Sequence, residues 1–358
     1  MGKPRMTISC ARASQLPTVG ILSIFRDESQ LIGEWLRHYL AEGVSQYVLI
    51  DSESTDSSVD VINFFASHHR RCVQVDLLSL NGSHNQLNAY NMFAHVLRTD
   101  WALVVDVDEW VYARLQYHTI PEFLQSLPAS AGLVILPWKR FGSSGVVASP
   151  ISAIASYVRR EIIAGDDPAS DTYNVSLTSG WLSGKIYNFK SLFRIQAAKH
   201  ARDTVLSRPS SVNASGCHPS NLHTVACHAS WIISHQHRAF LEQAPALLPD
   251  GHELPRSLDR VRWVGPLRSM ASFGLHLNHY MLGSCEYYAK VRPSCPISAI
   301  YRNGLIWDTQ SPQMLVSQVK MTRGDVLSRE KDRVRTWTYF REWDGLLNEV
   351  EDNELRLK

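Results

Sequence analysis

Asp106 and Asp108 stand two residues apart in LVVDVDEWVY, residues 103–112, where an apolar run meets three acids. Carboxylates at that spacing repel unless something positive sits between them. A divalent cation is one such charge. Mg²⁺ and Mn²⁺ are hard ions that take a carboxylate or two from the protein and fill their other positions with phosphate and water. If the segment is extended, both aspartates lie on one side of it while Val107 points into the core. The D-x-D pair therefore predicts a metal site, and it does not stand alone: Asp27 and Glu28 follow the apolar run TVGILSIF, and Asp51 follows YVLI.

The elements that must position these acids alternate regularly over the first 140 residues. TVGILSIF reads as a buried strand. LIGEWLRHYL then places Leu31, Ile32, Trp35, Leu36, Tyr39 and Leu40 on one helical face, with Asp27 and Gln30 spaced to cap it. YVLI is a second strand, and Val59, Ile62 and Phe65 repeat at helical spacing after it. CVQVDLL, the helix HNQLNAYNMFAHVLR and the strand WALVV complete a βαβαβαβ series, which implies a parallel sheet with right-handed crossovers and helices on both faces. Ligands of such sheets bind beyond the carboxyl ends of the strands, where all of these acids fall. No G-x-G-x-x-G or G-x-x-x-x-G-K-[ST] follows a strand, which argues against a dinucleotide oxidoreductase or a P-loop NTPase.

Composition narrows the class further. The chain has 358 residues, 44% hydrophobic and 20% charged, with a net charge of +2. Those values describe an ordinary globular protein and argue against one built to grip a nucleic-acid backbone. No apolar run reaches the roughly 20 residues that span a bilayer. The expected location is the cytoplasm, or a secretory lumen if a membrane anchor has been removed. Six cysteines are too few for a disulfide framework in so long a chain, although pairs can still form, and three sequons at Asn81, Asn174 and Asn213 matter only in a lumen.

The stretches SIFRDESQLIGEWLRHYLAEGVSQYVLIDSESTDSS, NQLNAYN, ALVVDVDEWVY, LPWKRFGSSG and LNHYMLGSCEYYAKVRP, in order from about residue 18 to 292, resemble the glycosyltransferase family 2-like and family 92 group. The resemblance implies a GT-A fold: α/β, with a Rossmann-like, mostly parallel sheet flanked by helices and an acceptor-binding second half. It divides the chain into a disordered lead-in (1–17), a nucleotide-sugar-binding half (18–140), an acceptor-binding half (141–300) and a C-terminal helical segment (301–358). It implies that Phe25, Arg26, Glu28, Asp51, Gln86, Tyr90, Asp106, Val107 and Asp108 hold a nucleoside-diphosphate sugar, expected to be a UDP-sugar, with Asp51 on the nucleoside. Mn²⁺ or Mg²⁺ is the implied cofactor, and a glycan or glycoconjugate the implied acceptor. One departure from the family is that Arg292 is followed by Pro293 rather than Gly.

The second half is less legible. GLVILPW reads as a further strand, KRFGSSG as a loop, and residues 143–180 as loops over the site. Trp337, Phe340, Trp343 and Leu347 suggest an amphipathic helix in the tail. An inverting transferase needs one group to take the acceptor's proton. The sequence does not single it out among Glu161, Asp166, Asp167 and Asp203; with Asp108 of the D-x-D, Asp203 and Glu161 are the expected catalytic residues. His218, in GCHPSN after the basic stretch KSLFRIQAAKHAR, is expected to be a further metal ligand, with His279 its competitor; imidazole favours Mn²⁺ over Mg²⁺. Rival readings are a sugar nucleotidyltransferase, another metal-dependent enzyme handling phosphate, and a non-catalytic glycan-binding protein on the same fold.

Overall fold

The computed structural model describes residues 16–80, 86–161, 189–195, 246–253, 270–280, 282–284, 286–288, 350–352 and 354–357. The series begins with β1 (Val19–Phe25), α1 (Ile32–Ala41), β2 (Gln46–Asp51), α2 (Ser58–His69), β3 (Gln74–Ser79), α3 (Gln86–Phe93) and β4 (Trp101–Val104). It continues with β5 (Glu109–Ala113), α4 (Ile120–Gln125), β6 (Leu133–Arg140), α5 (Ala153–Ser156), β7 (Arg159–Arg160), β8 (Phe189–Arg194), β9 (Ala246–Leu247), β10 (Leu275–His279) and β11 (Val350–Glu351). A short helix, Glu354–Leu357, follows.

Among the described residues the main sheet has the order β3-β2-β1-β4-β8-β6-β10-β5, with β9 beside β6. The pairings β1–β2, β2–β3 and β1–β4 are all parallel, as the alternating pattern predicts. β8 then enters antiparallel to both β4 and β6. β2 and β4 are buried almost throughout, as strands covered on both faces must be, whereas β3 at the edge is half-exposed. Gly20 in β1 has no room for a side chain, since a Cβ there would lie 2.6 Å from Thr99 Oγ1.

α1 buries Ile32, Trp35, Leu36, Tyr39 and Leu40, the face that the sequence predicts. Its start differs from expectation. The N-cap is Leu31 with no side-chain cap, and the first turn takes the Glu28 carbonyl, 3.0 Å from the Leu31 N–H and 2.9 Å from that of Ile32. Asp27 cannot cap α1 because its carboxylate is turned to another loop and its backbone sits at φ 55°. In α2, Ile62 and Phe65 are buried and Val59 is half-buried. Cys72, ahead of β3, is disulfide-bonded, and each other cysteine lies outside the described residues.

Described residues up to Trp138 and those from Phe189 to Asn278 form one compact unit; Lys139 to Glu161 and those from His279 onward form a second. β8, β9 and all of β10 but His279 belong to the first unit. In the second unit, β11 pairs antiparallel with β7. The described part of the tail is thus a strand and one helical turn, and the predicted tail helix lies outside the described residues. Buried Lys139 reaches Asp352 at 3.0 Å and Glu354 at 3.2 Å, and Arg160 Nε lies 2.6 Å from Asp352. Burial pushes the Asp352 carboxyl up, but Lys139 and Arg160 outweigh it and hold it at about 2. Burial lowers the Lys139 pKa in spite of its two acidic neighbours.

Candidate functional site

β4 delivers the acidic residues because it is wholly apolar: Trp101 through Val105 have no exposed surface. Beyond Val105 the chain turns. The Glu109 N–H donates to the Asp106 carbonyl at 3.1 Å, and the Asp106 N–H donates to Glu109 Oε2 at 2.9 Å. The expectation of an extended strip presenting both aspartates on one side is therefore corrected, since Val107 and Asp108 lie in a turn. Val107 is buried as predicted, and Asp106 and Asp108 are half-buried. The turn is anchored from below: the Glu109 carbonyl accepts from the Trp35 indole and the Tyr39 hydroxyl, both at 3.0 Å. The same hydroxyl accepts from the Val111 N–H at 2.9 Å.

The positive charge that the opening residues require comes from within the chain. Lys190, on β8 and fully buried, places its ammonium 3.0 Å from Asp106 Oδ2 and 3.2 Å from Glu109 Oε2. The register explains the meeting. Leu103 is paired with Leu192, so Lys190 falls beside the exit of β4. The second oxygen of Asp106, Oδ1, accepts from the Tyr90 hydroxyl at 3.3 Å, and that hydroxyl lies 3.4 Å from the Ile24 N–H of β1. Sequence reasoning gave Lys190 and Glu109 no role. The only signal was a single lysine inside the apolar stretch FKSLFRI.

Because β2, β1 and β4 are neighbouring parallel strands, the loops after all three share one edge of the sheet. Asp51 closes β2 with a half-buried carboxylate, whose Oδ1 accepts from the Ser54 N–H at 3.0 Å. Asp27 Oδ1 accepts from the N–H groups of Thr55 at 2.7 Å and Asp56 at 3.2 Å and from the Thr55 hydroxyl at 3.1 Å. Asp56 Oδ2 accepts from the Ser29 N–H at 3.0 Å. Burial pushes the Asp56 carboxyl up, but hydrogen bonds from Ser29 and Ser58 prevail and hold it at about 2. These bonds lock the β1 and β2 loops together, with Asp27 and Glu53 both in the left-handed region at φ 55° and 59°.

The other predicted residues fare variously. Phe25 is buried in β1, and its carbonyl accepts from the Ser52 N–H at 2.9 Å. Arg26 is exposed, and Glu28 is half-buried above the start of α1. Tyr90 is buried, supporting Asp106 rather than offering a ring face to solvent. Glu161 lies in the second unit, where Arg140 Nε approaches Oε1 at 2.8 Å and Oε2 at 3.0 Å, so both of its oxygens already serve a guanidinium. His279 is buried in that unit, and its carbonyl accepts from the Phe141 N–H at 2.9 Å. Asp203, Asp166, Asp167, His218 and the Gln86 side chain lie outside the described residues.

Among the described residues no three His, Cys, Asp or Glu side chains converge as a metal site. The donors at the turn are all carboxylate oxygens. They suit a hard cation that keeps water or phosphate on its other positions and do not suit one needing a complete protein cage. Three carboxylates (Asp106, Asp108 and Glu109) and one ammonium (Lys190) leave a formal charge of −2 around the turn, which one divalent ion balances.

No protein-family model matches the sequence, and no curated protein matches it. Among solved structures, the mannosyltransferase PcManGT from Pyrobaculum calidifontis, in complex with GDP-Man and Mn²⁺, is similar at 13% identity over 92% of this chain and 84% of that one, with a TM-score of 0.35. TarS (residues 1–349) of S. aureus, in complex with UDP, is similar at 9% identity over 91% of this chain and 88% of that one, with a TM-score of 0.37. Glucosyl-3-phosphoglycerate synthase from Mycobacterium tuberculosis, with Mn²⁺, UDP and glucosyl-3-phosphoglycerate, is similar at 17% identity over 41% of this chain and 52% of that one, with a TM-score of 0.25. Likeness at this level adds nothing to the strand order and hydrogen bonds already described.

Proposed function

We propose that this chain is a metal-dependent glycosyltransferase of the GT-A type, moving a sugar from a nucleoside-diphosphate sugar to a hydroxyl of a glycan or glycoconjugate. The observation that carries the reading is the strand order β2-β1-β4, which sets Asp51 and the turn holding Asp106 and Asp108 at the carboxyl ends of neighbouring parallel strands. Two strand spacings, roughly 10 Å, separate the two strand ends, which suits a ligand with a nucleoside at one end and a diphosphate at the other. The family resemblance of the sequence adds the assignment of Asp51 to the nucleoside and of the D-x-D to the metal.

In this reading Asp51 accepts hydrogen bonds from nucleoside hydroxyls, and the locked β1–β2 loops keep its position without the ligand. Asp108 and Asp106 would hold Mn²⁺ or Mg²⁺, which when bound would supply Lewis acidity toward a departing diphosphate. Asp203 is the candidate to take the acceptor's proton, since both oxygens of Glu161 serve Arg140. The disulfide at Cys72 favours an oxidising lumen over the cytoplasm.

A thermal-shift screen of UDP- and GDP-sugars, with and without Mn²⁺, tests the reading directly. A donor should raise the melting temperature in the presence of metal, because binding to the folded state stabilises it by mass action. Asp108→Ala should melt like the parent alone yet lose that shift and all transfer. Transfer at the parental rate by Asp108→Ala would remove the D-x-D from the mechanism.

A further inference from the structure

The proposed chemistry leaves Lys190 and its buried partner Glu109 unused. Lys190 has no exposed surface, so it cannot touch a donor or acceptor. A buried ammonium survives only when paired and hydrogen-bonded, and this one is placed between two carboxylates of different character. Glu109 is itself fully buried and serves the backbone of the turn. Asp106 is 29% exposed at its side chain and follows the carboxyl end of β4.

We propose that Lys190 is a positioning residue that fixes Asp106 and holds down the turn's own affinity for a divalent cation, so that the cation is retained only together with a diphosphate. This inference rests on the glycosyltransferase reading for the identity of the diphosphate ligand. Two observations carry it. Both oxygens of Asp106 are already engaged, one by Lys190 at 3.0 Å and one by Tyr90 at 3.3 Å, so the carboxylate is fixed before any ligand arrives. The ammonium also offsets one of the three negative charges, and its burial shields it from the salt that screens exposed charges. What remains is enough to balance one divalent ion in formal charge, without a cage of protein ligands. A diphosphate provides the missing oxygens and further negative charge, and it takes the ion with it when it leaves. An acidic turn with no internal cation would keep the metal after the nucleotide had gone.

Removing Lys190 alone strands a buried carboxylate, so the test compares two proteins that both lack it. Mn²⁺ binding to Glu109→Gln and to the double variant Glu109→Gln/Lys190→Met, each as the full chain, can be followed by the EPR signal of the free ion, without and with UDP. Circular dichroism checks that both are folded. Without UDP, the double variant should bind Mn²⁺ at least about tenfold more tightly than Glu109→Gln, the direction set by deleting a positive charge near the ion. Equal or weaker binding by the double variant overturns the proposal, because removing an ammonium 3.0 Å from Asp106 would then leave the turn's hold on the ion unimproved. The parent protein gives a second test that needs no variant. It should bind Mn²⁺ at least about tenfold more tightly with UDP than without, and equal affinity in the two conditions overturns the proposal even if the double variant fails to fold. Failure of the parent to bind Mn²⁺ at all with UDP sinks the glycosyltransferase reading as well. Binding by the parent with no difference between the variants sinks the Lys190 role alone.

Discussion

At the ends of β1 and β2, the Oδ1 atoms of Asp27 and Asp51 are held by backbone N–H groups and a hydroxyl, with the exposed Arg26 guanidinium 3.8 Å from the other Asp27 oxygen, whereas at the end of β4 Asp106 is held by the buried ammonium of Lys190. Neutral donors orient a carboxylate and leave its charge in place, and an exposed guanidinium screened by solvent offsets little of it. An ammonium orients it and offsets the charge too. The first arrangement suits a region that must offer acceptors to hydroxyl groups. In the proposed reading, the second suits a region that holds a cation together with its ligand. The distinction also separates two kinds of stability: the loop contacts are many and individually small, while the β4 turn depends on a few buried charges whose loss is expensive.

The largest effect should come from breaking the charged arrangement at its centre. Lys190→Met leaves Glu109 buried without its ammonium, and removing one partner of a buried pair costs about 3–5 kcal/mol. Denaturant unfolding of the parent and the variant would measure it, and a loss below about 1 kcal/mol would show that the pair is not the turn's anchor. Glu109→Gln/Lys190→Met should recover most of that loss.

A smaller effect is expected from the neutral arrangement. Asp27→Ala removes an acceptor for two N–H groups and a hydroxyl, and should cost about 1–2 kcal/mol, since each such bond contributes about 0.5–1.5 kcal/mol net and partial exposure lets water replace some of it. The same unfolding experiment checks it, and an unchanged midpoint would mean that the two loops are not held by Asp27.

The smallest and most selective effect is acid sensitivity at Asp56. Its folded pKa of about 2 lies below the unfolded value of about 3.9, so the unfolded state binds the proton more readily. The stabilisation is complete above the unfolded pKa and fades as pH falls from about 4 through about 2. Asp56→Asn, which has no proton to take up, should lose less melting temperature than the parent between pH 5 and about pH 2.5. Parallel loss in both proteins would assign the acid sensitivity elsewhere, Asp352 with its own depressed value being the next group to substitute.

The first four strands and their helices were legible in the sequence because apolar periodicity and buried strands leave direct signatures. Trp35, Leu36 and Tyr39 occupy the predicted face of α1, and β1 to β4 pair in parallel as the alternation requires. Asp27 fits a capping box by its spacing to Gln30, but its backbone takes a positive φ, which Asp tolerates better than most residues without dictating it, and its carboxylate accepts from Thr55. The partner of Asp106 was invisible for another reason. Lys190 is 84 residues away, and only the antiparallel insertion of β8 beside β4 brings it there. The sequence pattern showed that a positive charge was needed at Asp106, but not that the chain supplies one of its own.

The two hydrogen bonds from Trp35 and Tyr39 to the Glu109 carbonyl also fix the length of the acidic turn. β4 ends at Val104 and Glu109 is pinned to α1, so only residues 105 to 108 span the gap. A residue inserted there must either tear Glu109 from the helix or push Asp106 away from Lys190. Chain length at this point is therefore as constrained as residue type. Engineering that adds or deletes residues should avoid 105–108.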